Sequence, residues 1–327
     1  MFVVINTAKR KFLQTLLASL ALTSSCALAQ TGSIKLMVGF PPGGGTDAIA
    51  RVLGEQLSQV LSTPVIIENR AGAGGQIAAQ ALKTAPADGS VLFLSHDHTI
   101  SILPLVSKTA GFIPNKDFVP VAGFASFANG VALSGEVPQA SLVTFMQAVR
   151  DQQKGKAAIG VPAPQSVPEF LVKVLAAHYK LDLIAVPYRG SAPMIADMLG
   201  KQIPAGVASV PDFIEFQKAG KVSMVAVMGD KRQAILPDTP TFAELGIKGF
   251  EDLPYYGIFA PAGTPVSTLE RYSDALKKVL EMPQVQQRLV SLGLTVEYMT
   301  SQTLTQREQA YSKNWARIIA ESGFVAQ

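Results

Sequence analysis

Cysteine is almost absent from this chain: Cys26 is the only one in 327 residues, so neither a disulfide framework nor a cysteine-based zinc site can be built. Charge is scarce too. Only 16% of residues are charged against 48% hydrophobic, which excludes an intrinsically disordered chain and leaves ample material for a core. No stretch beyond the N-terminal 30 residues reaches the roughly 18 uninterrupted apolar residues of a membrane span. Enzyme signatures are missing: there is no G-x-S-x-G elbow and no H-E-x-x-H, and a catalytic cysteine is not available to an exported form that loses Cys26. With three histidines, two of them flanking Asp97, a Ser-His-Asp triad is not ruled out by composition, but no spacing supports one.

The N-terminus has the pattern of a secretory signal peptide over residues 1–29. Lys9, Arg10 and Lys11 form a positive n-region, Phe12 to Leu22 an apolar run too short to span a bilayer, and Ala27-Leu28-Ala29 a small-residue cleavage pattern. This predicts an exported protein that begins near Gln30. A second reading makes Cys26 a lipid-modified anchor, but Thr23 stands where that motif places Leu. The segment holds three of the 28 basic residues and none of the 24 acidic ones, so the mature charge is 25 − 24 = +1. A nucleic-acid partner is therefore excluded.

Beyond residue 30, short apolar runs alternate with helical patterns, the signature of an α/β layered fold. Ile34 to Val38, Val65 to Ile67 and Val91 to Leu94 are predicted strands, with helices from about Asp47 and over Ile77 to Leu82. Phe118 to Leu133 is apolar without a helical period and is expected to cross between lobes as an extended segment. A second series follows, with strands at Ala157 to Val161, Leu183 to Val186, Ile203 to Ala208 and Val222 to Val227. Tyr256 to Phe259 reads as a returning strand, and Thr268 to Leu280 and Thr305 to Ser322 as amphipathic helices. Two lobes, with the C-terminal part returning to the first, is the economical arrangement.

In open α/β sheets ligands bind at the carboxyl edge of the strands, and here each strand exits into a Gly, Pro or Ser loop. The sharpest is Gly43-Gly44-Gly45-Thr46-Asp47. Glycines let a ligand approach the backbone and free N–H groups at a helix start favour an anion, but no Lys-Ser/Thr follows as in a P-loop. A plain tight turn, with Thr46 or Asp47 as N-cap, reads as well; Asp47 itself fits a cap better than a ligand group. A second Gly-rich turn, Gly72 to Gly75, lies on the same edge. His96-Asp97-His98 follows the third strand; in an extended segment His96 and His98 share a face and Asp97 does not. With His178 on the other lobe, hydrogen bonding suits the triplet better than metal binding. Tyr188-Arg189-Gly190-Ser191 closes a strand on the second lobe, with Ser191 as N-cap and Arg189 as a clamp or a solvated side chain. Trp315 reads as packing.

Together these motifs resemble one family, the tripartite tricarboxylate transporter receptors or Bug proteins, which are periplasmic solute-binding proteins. GFPPGGGTDAIAR (39–51) and ENRAGAGGQIAAQALKTAPADG (68–89) match its first two loops, and VPYRGSAPMIADMLGKQI (186–203) its second-lobe segment. LPDTPTFAELG (236–246), YYGIFAPAGTP (255–265) and NWARIIAESGF (314–324) follow in the expected order, so the resemblance covers essentially all of the mature chain. It implies a type II-like, two-lobed α/β binding protein, each lobe a mostly parallel sheet flanked by helices. Residues 30–125 plus 254–327 would form lobe 1 and 126–253 lobe 2. The ligand would be a small organic carboxylate held in the cleft, for delivery to inner-membrane transporter subunits. The protein would be a monomer in the periplasm, not an enzyme, with no cofactor and no metal. A periplasmic sensor for a signalling partner, or an exported hydrolase, are the alternative functions.

Carried over by motif, the ligand residues are Phe40, Pro42, Gly43, Gly44, Gly45, Thr46 and Asp47 of the first loop and Ala73, Gly74 and Gly75 of the second. Ser95, Asp97 and His98 follow the third strand, and Tyr188, Arg189, Gly190 and Ser191 belong to the second lobe. One segment departs from the family, which has a Gly/Ser-rich loop and His-Leu where this chain reads Val161-Pro162-Ala163-Pro164-Gln165-Ser166-Val167-Pro168-Glu169. Gln165 and Ser166 then hold the site positions there. Prolines remove backbone donors, so this wall is expected to favour a ligand with one carboxylate and a less anionic tail. Gly44→Val is expected to crowd the first loop and weaken ligand binding without unfolding the lobe, which calorimetric titration and circular dichroism would check together.

Overall fold

The computed structural model describes residues 32–135, 141–321, 324 and 326. The expected signal peptide, Cys26 and the expected new terminus at Gln30 lie outside them. Strand β1 (Ile34–Val38) buries all of its side chains except Lys35, as a central strand covered on both faces must. Helix α1 (Gly45–Leu61) turns Ile49, Leu53, Leu57 and Leu61 onto the sheet and stops at Ser62, which is left-handed at φ 50°. It starts two residues before the expected Asp47, because Gly44, with extended backbone, is the N-cap instead of Thr46 or Asp47. β2 (Val65–Asn69), α2 (Gln76–Lys83) and β3 (Val91–His96) complete the first parallel unit.

β4 (Phe118–Ser126) runs almost directly into β5 (Asn129–Ser134), and the two belong to different sheets, as the extended crossing predicted. The second lobe continues through α3 (Leu142–Gln152), β6 (Lys156–Val161), α4 (Val167–Tyr179), β7 (Asp182–Pro187), α5 (Ser191–Leu199), β8 (Ala205–Ser209), α6 (Val210–Lys218) and β9 (Val222–Val227). The chain then returns as β10 (Tyr255–Pro261), α7 (Val266–Leu280), α8 (Pro283–Ser291), β11 (Thr295–Thr300) and α9 (Ser301–Glu321). The six-stranded sheet has the order β11-β4-β10-β3-β1-β2 and the five-stranded sheet β7-β6-β8-β5-β9.

This is a two-lobed α/β fold, but its sheets are mixed where mostly parallel ones were expected. β10 is antiparallel to both β3 and β4, and β5 is antiparallel to both β8 and β9. The cause is the double crossing. A strand that receives the chain from the other lobe starts at the cleft edge, where its neighbours end, and must run against them.

Both crossings are held by the last helix. Arg307 of α9 donates from Nη2 to Ser126 Oγ at 2.8 Å and to the Leu253 carbonyl at 3.1 Å, so one guanidinium grips the end of β4 and the approach to β10. Phe127 N–H also bonds the Pro254 carbonyl. Trp315, buried as expected, packs on Phe250, Phe170 of α4 and Tyr311. Leu36, in the middle of β1, has no exposed surface. Leu36→Ala is expected to cost about 3 kcal/mol, seen as a lower urea midpoint at unchanged slope.

Candidate functional site

The carboxyl ends of the strands from both sheets face one cavity of about 50 Å³. Its first-lobe side is built by Phe40, Gly44, Gly45, Thr46, His96, Asp97, His98 and Tyr256. Phe127 and Asn129 reach it from the crossing, and Ala163, Ser166, Pro168, Ser191, Ser209 and Asp212 from the second lobe. Four helices begin at this chamber: α1 after Gly44, α4 after Ser166, α5 after Gly190 and α6 after Ser209. A helix start carries about half a positive charge in its unpaired N–H groups, so their meeting point favours an anion.

A carboxylate of the protein already stands there. Asp212 Oδ1 accepts the Gly45 N–H at 2.8 Å and the Ser191 hydroxyl at 2.5 Å. Its Oδ2 accepts the Ser209 hydroxyl at 2.6 Å and the Ser209 N–H at 3.3 Å. The first of these bonds spans the cleft, from α1 of one lobe to α6 of the other. The fit around it is tight. A Cβ on Gly45 would lie 2.9 Å from Pro211, one on Gly44 would lie 2.9 Å from Ser191 Oγ, and one on Gly190 would meet the Pro41 ring. These glycines allow the lobes to close.

Eight of the expected site residues border this chamber: Phe40, Gly44, Gly45, Thr46, Asp97, His98, Ser166 and Ser191. A second, wider space opens beside it and shares Phe40 and Pro162; Ala73, Gly74, Tyr188, Arg189 and Gly190 border that one. Arg189 is exposed there, and Tyr188 donates to Asp197 at 2.7 Å. Ser191 opens α5 at its first helical position, after Gly190 as N-cap, so its hydroxyl is free to reach Asp212.

Six expected residues border neither space: Pro42, Gly43, Asp47, Gly75, Ser95 and Gln165. Pro42 and Gly43 face outward at the tip of their turn. Asp47 braces that turn from behind, accepting the Gly43 N–H, both arms of Arg51 at 2.9 Å and Asn69 at 2.9 Å. Burial works to raise its pKa, but the Arg51 guanidinium, Gly43 N–H and Asn69 together hold it below the usual carboxylate range. Gly75 lies under Thr99, whose hydroxyl bonds the Gly74 carbonyl at 2.8 Å and pins the second loop. Gln165 is left-handed at φ 55° and gives its N–H to Glu169. Ser95 is buried in β3.

The histidine triplet departs from the extended reading. β3 ends at His96, and Asp97 is already helical (φ −44°, ψ −43°), so all three residues reach the chamber. His96 joins an aromatic wall, stacked on Phe40 at 4.9 Å and edge-on to Tyr256 and Phe127 at 5.3 and 5.7 Å. Its Nδ1 lies 3.2 Å from Asp97 Oδ1, and Asp97 Oδ2 accepts the Tyr311 hydroxyl of α9 at 3.1 Å. Thr46 and Tyr256 pair through their hydroxyls at 3.1 Å, and burial pushes the Tyr256 phenol well up.

Sequence reasoning missed Asp212, Ser209, Asn129, Phe127 and Tyr256. Ser209-Val210-Pro211-Asp212 did carry a signal, the S-x-x-D spacing of a capping box after a strand.

The family model described as "Tripartite tricarboxylate transporter family receptor" matches residues 49–324. The chain belongs to this family. Its fold is that of the periplasmic binding protein BugD, with a TM-score of 0.84 and 28% identity over 90% of this chain and 99% of that one. It is also similar to Rpa4515 of R. palustris, solved with adipate, at a TM-score of 0.85 and 27% identity (90% of this chain, 99% of that one). MatC of Rhodopseudomonas palustris, solved with bound malate, gives 0.81 and 26% (88% and 98%). This chain is thus a member of a family of solute-binding receptors, and among its described residues no helix is long and apolar enough to cross a membrane.

His98 is expected to give this receptor an acid response. The imidazole is 4% exposed, and burial, with His96 nearby, lowers its pKa to about 4 against the pull of Asp97. An unfolded histidine titrates near 6.5, so its stabilising contribution is complete above that pH and is lost as pH falls toward 4. The loss amounts to about 3 kcal/mol. His98→Gln is expected to flatten the decline in urea-unfolding stability between pH 6.5 and 4.

Proposed function

We propose that this receptor is exported to the periplasm, losing residues 1–29, and captures a small organic carboxylate in the interlobe chamber. It then presents the closed, loaded form to inner-membrane subunits of a tripartite transporter. The observation that carries this reading is the meeting of four helix N-termini where the protein already holds a carboxylate, that of Asp212, by two peptide N–H groups and two serine hydroxyls. Adipate and malate, held by the two similar receptors, are of the same ligand class. Among the described residues no lysine or arginine borders the chamber, so the grip comes from dipoles and hydroxyls, which bind an anion without a paired side-chain cation. A ligand that touches both lobes favours the closed form by its differential affinity.

The first-loop residues Phe40, Gly44, Gly45 and Thr46, with Ser166 and Ser191 opposite, are the contacts assigned to the ligand. Arg189, exposed beside the outer space, is placed to attract an acid on its way in. Calorimetric titration of the purified chain with mono-, di- and tricarboxylates of three to six carbons is expected to give saturable binding for at least one of them and a raised melting temperature. Gly45→Val, whose side chain would meet Pro211 on closure, should abolish that binding while the chain stays folded. Absence of binding across the panel, or full affinity in Gly45→Val, would overturn the assignment.

A further inference from the structure

We infer that His98 is a further binding residue of the chamber, and that it takes up one proton from solvent as an acid guest enters and holds the guest as an imidazolium. The inference deepens the carboxylate-receptor reading and rests on it. Unused hydrogen-bond capacity is the first ground. The Ser191 and Ser209 hydroxyls and the Gly45 N–H are already directed at Asp212, the Ser166 hydroxyl at the Ala163 carbonyl, and the Thr46 and Tyr256 hydroxyls at each other. His98 borders the same chamber, is more than nine-tenths buried, and has no partner for either ring nitrogen among the described residues. A buried polar group in that state costs free energy, which a guest oxygen within its reach removes. Asn129 also borders the chamber, but an amide has no basic nitrogen with which to take up a proton. The ring owes its place to bare backbone: a Cβ on Gly74, in the second loop, would run into its Nε2.

Charge is the second ground. Asp97 and Asp212 border the chamber, and among the described residues no lysine or arginine does. Asp212 is already filled by four hydrogen bonds. A carboxylate guest would be a third negative charge there, and a proton that arrives with it leaves the balance as it was. The titratable groups around the ring are His96 and Asp97 beside it in the chain, Tyr311 of α9 bonded to Asp97, and Tyr256 of β10 and Asp212 of α6 on the chamber wall. The second loop, Ala73 to Gly75, brings none. Burial and His96 keep the ring neutral and Asp97 pulls the other way, which leaves its pKa at about 4. In the free receptor, then, dipoles and hydroxyls make the first hold. A carboxylate laid against the ring favours its charged form and lifts that value toward neutrality. The proton goes to the nitrogen that is the acceptor in the neutral ring, and no other bond forms or breaks.

The test counts protons. Malate, succinate, glutarate, adipate, citrate, butanoate and hexanoate are titrated calorimetrically into the wild-type chain near pH 6 in MES and in bis-Tris, whose heats of ionisation differ. The same titrations into His98→Gln remove the guest's own protons from the count. The wild-type chain is expected to take up at least about half a proton more per bound guest than the variant, because the bound form holds a proton that the free form lacks. By the same linkage its affinity should gain at least about threefold more than the variant's as pH falls from 7.5 to 5.5. Nitrogen-15 spectra of the three imidazole rings, assigned through the backbone, stand as a test even if the variant misfolds: the His98 ring is expected to go from one attached proton to two on loading. An acid that binds with no His98-dependent proton uptake, or a proton that lands on His96 instead, would overturn the inference and leave the carboxylate receptor standing. If no acid of the panel binds, both readings fall.

Discussion

Everything at the cleft depends on a hydrogen bond between a peptide group and a carboxylate, Gly45 N–H to Asp212. It links the start of a helix in one lobe to the first turn of a helix in the other. Two sheets, each with its carboxyl edge turned inward, place these helix starts face to face, and glycine at 44, 45 and 190 removes the side chains that would keep them apart. The remaining polar groups arrange themselves around that bond. Ser191 and Ser209 complete the carboxylate's hydrogen bonds, and Asp47 with Arg51 and Asn69 stiffens the turn that presents Gly45.

Much of this was legible in the sequence where the signal is local. The Pro-Gly cluster after β1 and the Gly-rich turn after β2 mark the sheet edge, the apolar spacing of Ile49, Leu53 and Leu57 marks α1, and Phe118 to Leu133 reads correctly as a crossing because it lacks a helical period. The family resemblance was carried by motifs of this local kind. Strand direction was not legible, since whether β5 and β10 run with or against their neighbours follows from the order in which the lobes exchange the chain. Helix starts were off by one or two residues at Gly44 and Gly190, because a glycine can take the N-cap place that a hydroxyl or carboxylate usually fills.

The site was half legible for a related reason. Residues on the Gly-rich loops announce themselves, while Asp212 hides inside a capping box, a purely local device in sequence terms. Its second role exists only because folding brings it to Gly45, 167 positions away. Tyr256 and Phe127 look like core residues and are core residues; they border the cavity because the core reaches the cleft there. Asp47 is the converse case. The family resemblance places it with the ligand residues, but Arg51, one helical turn on, holds the carboxylate in the brace, away from the cavity.

Asp97 belongs at once to the cavity wall and to the fastening of the two lobes. One oxygen faces His96 and the other takes the hydroxyl of Tyr311, on the same helix whose Arg307 clasps both strands that pass between the lobes. Whatever settles against this acid therefore sits one hydrogen bond away from the helix that fastens the two passages of the chain.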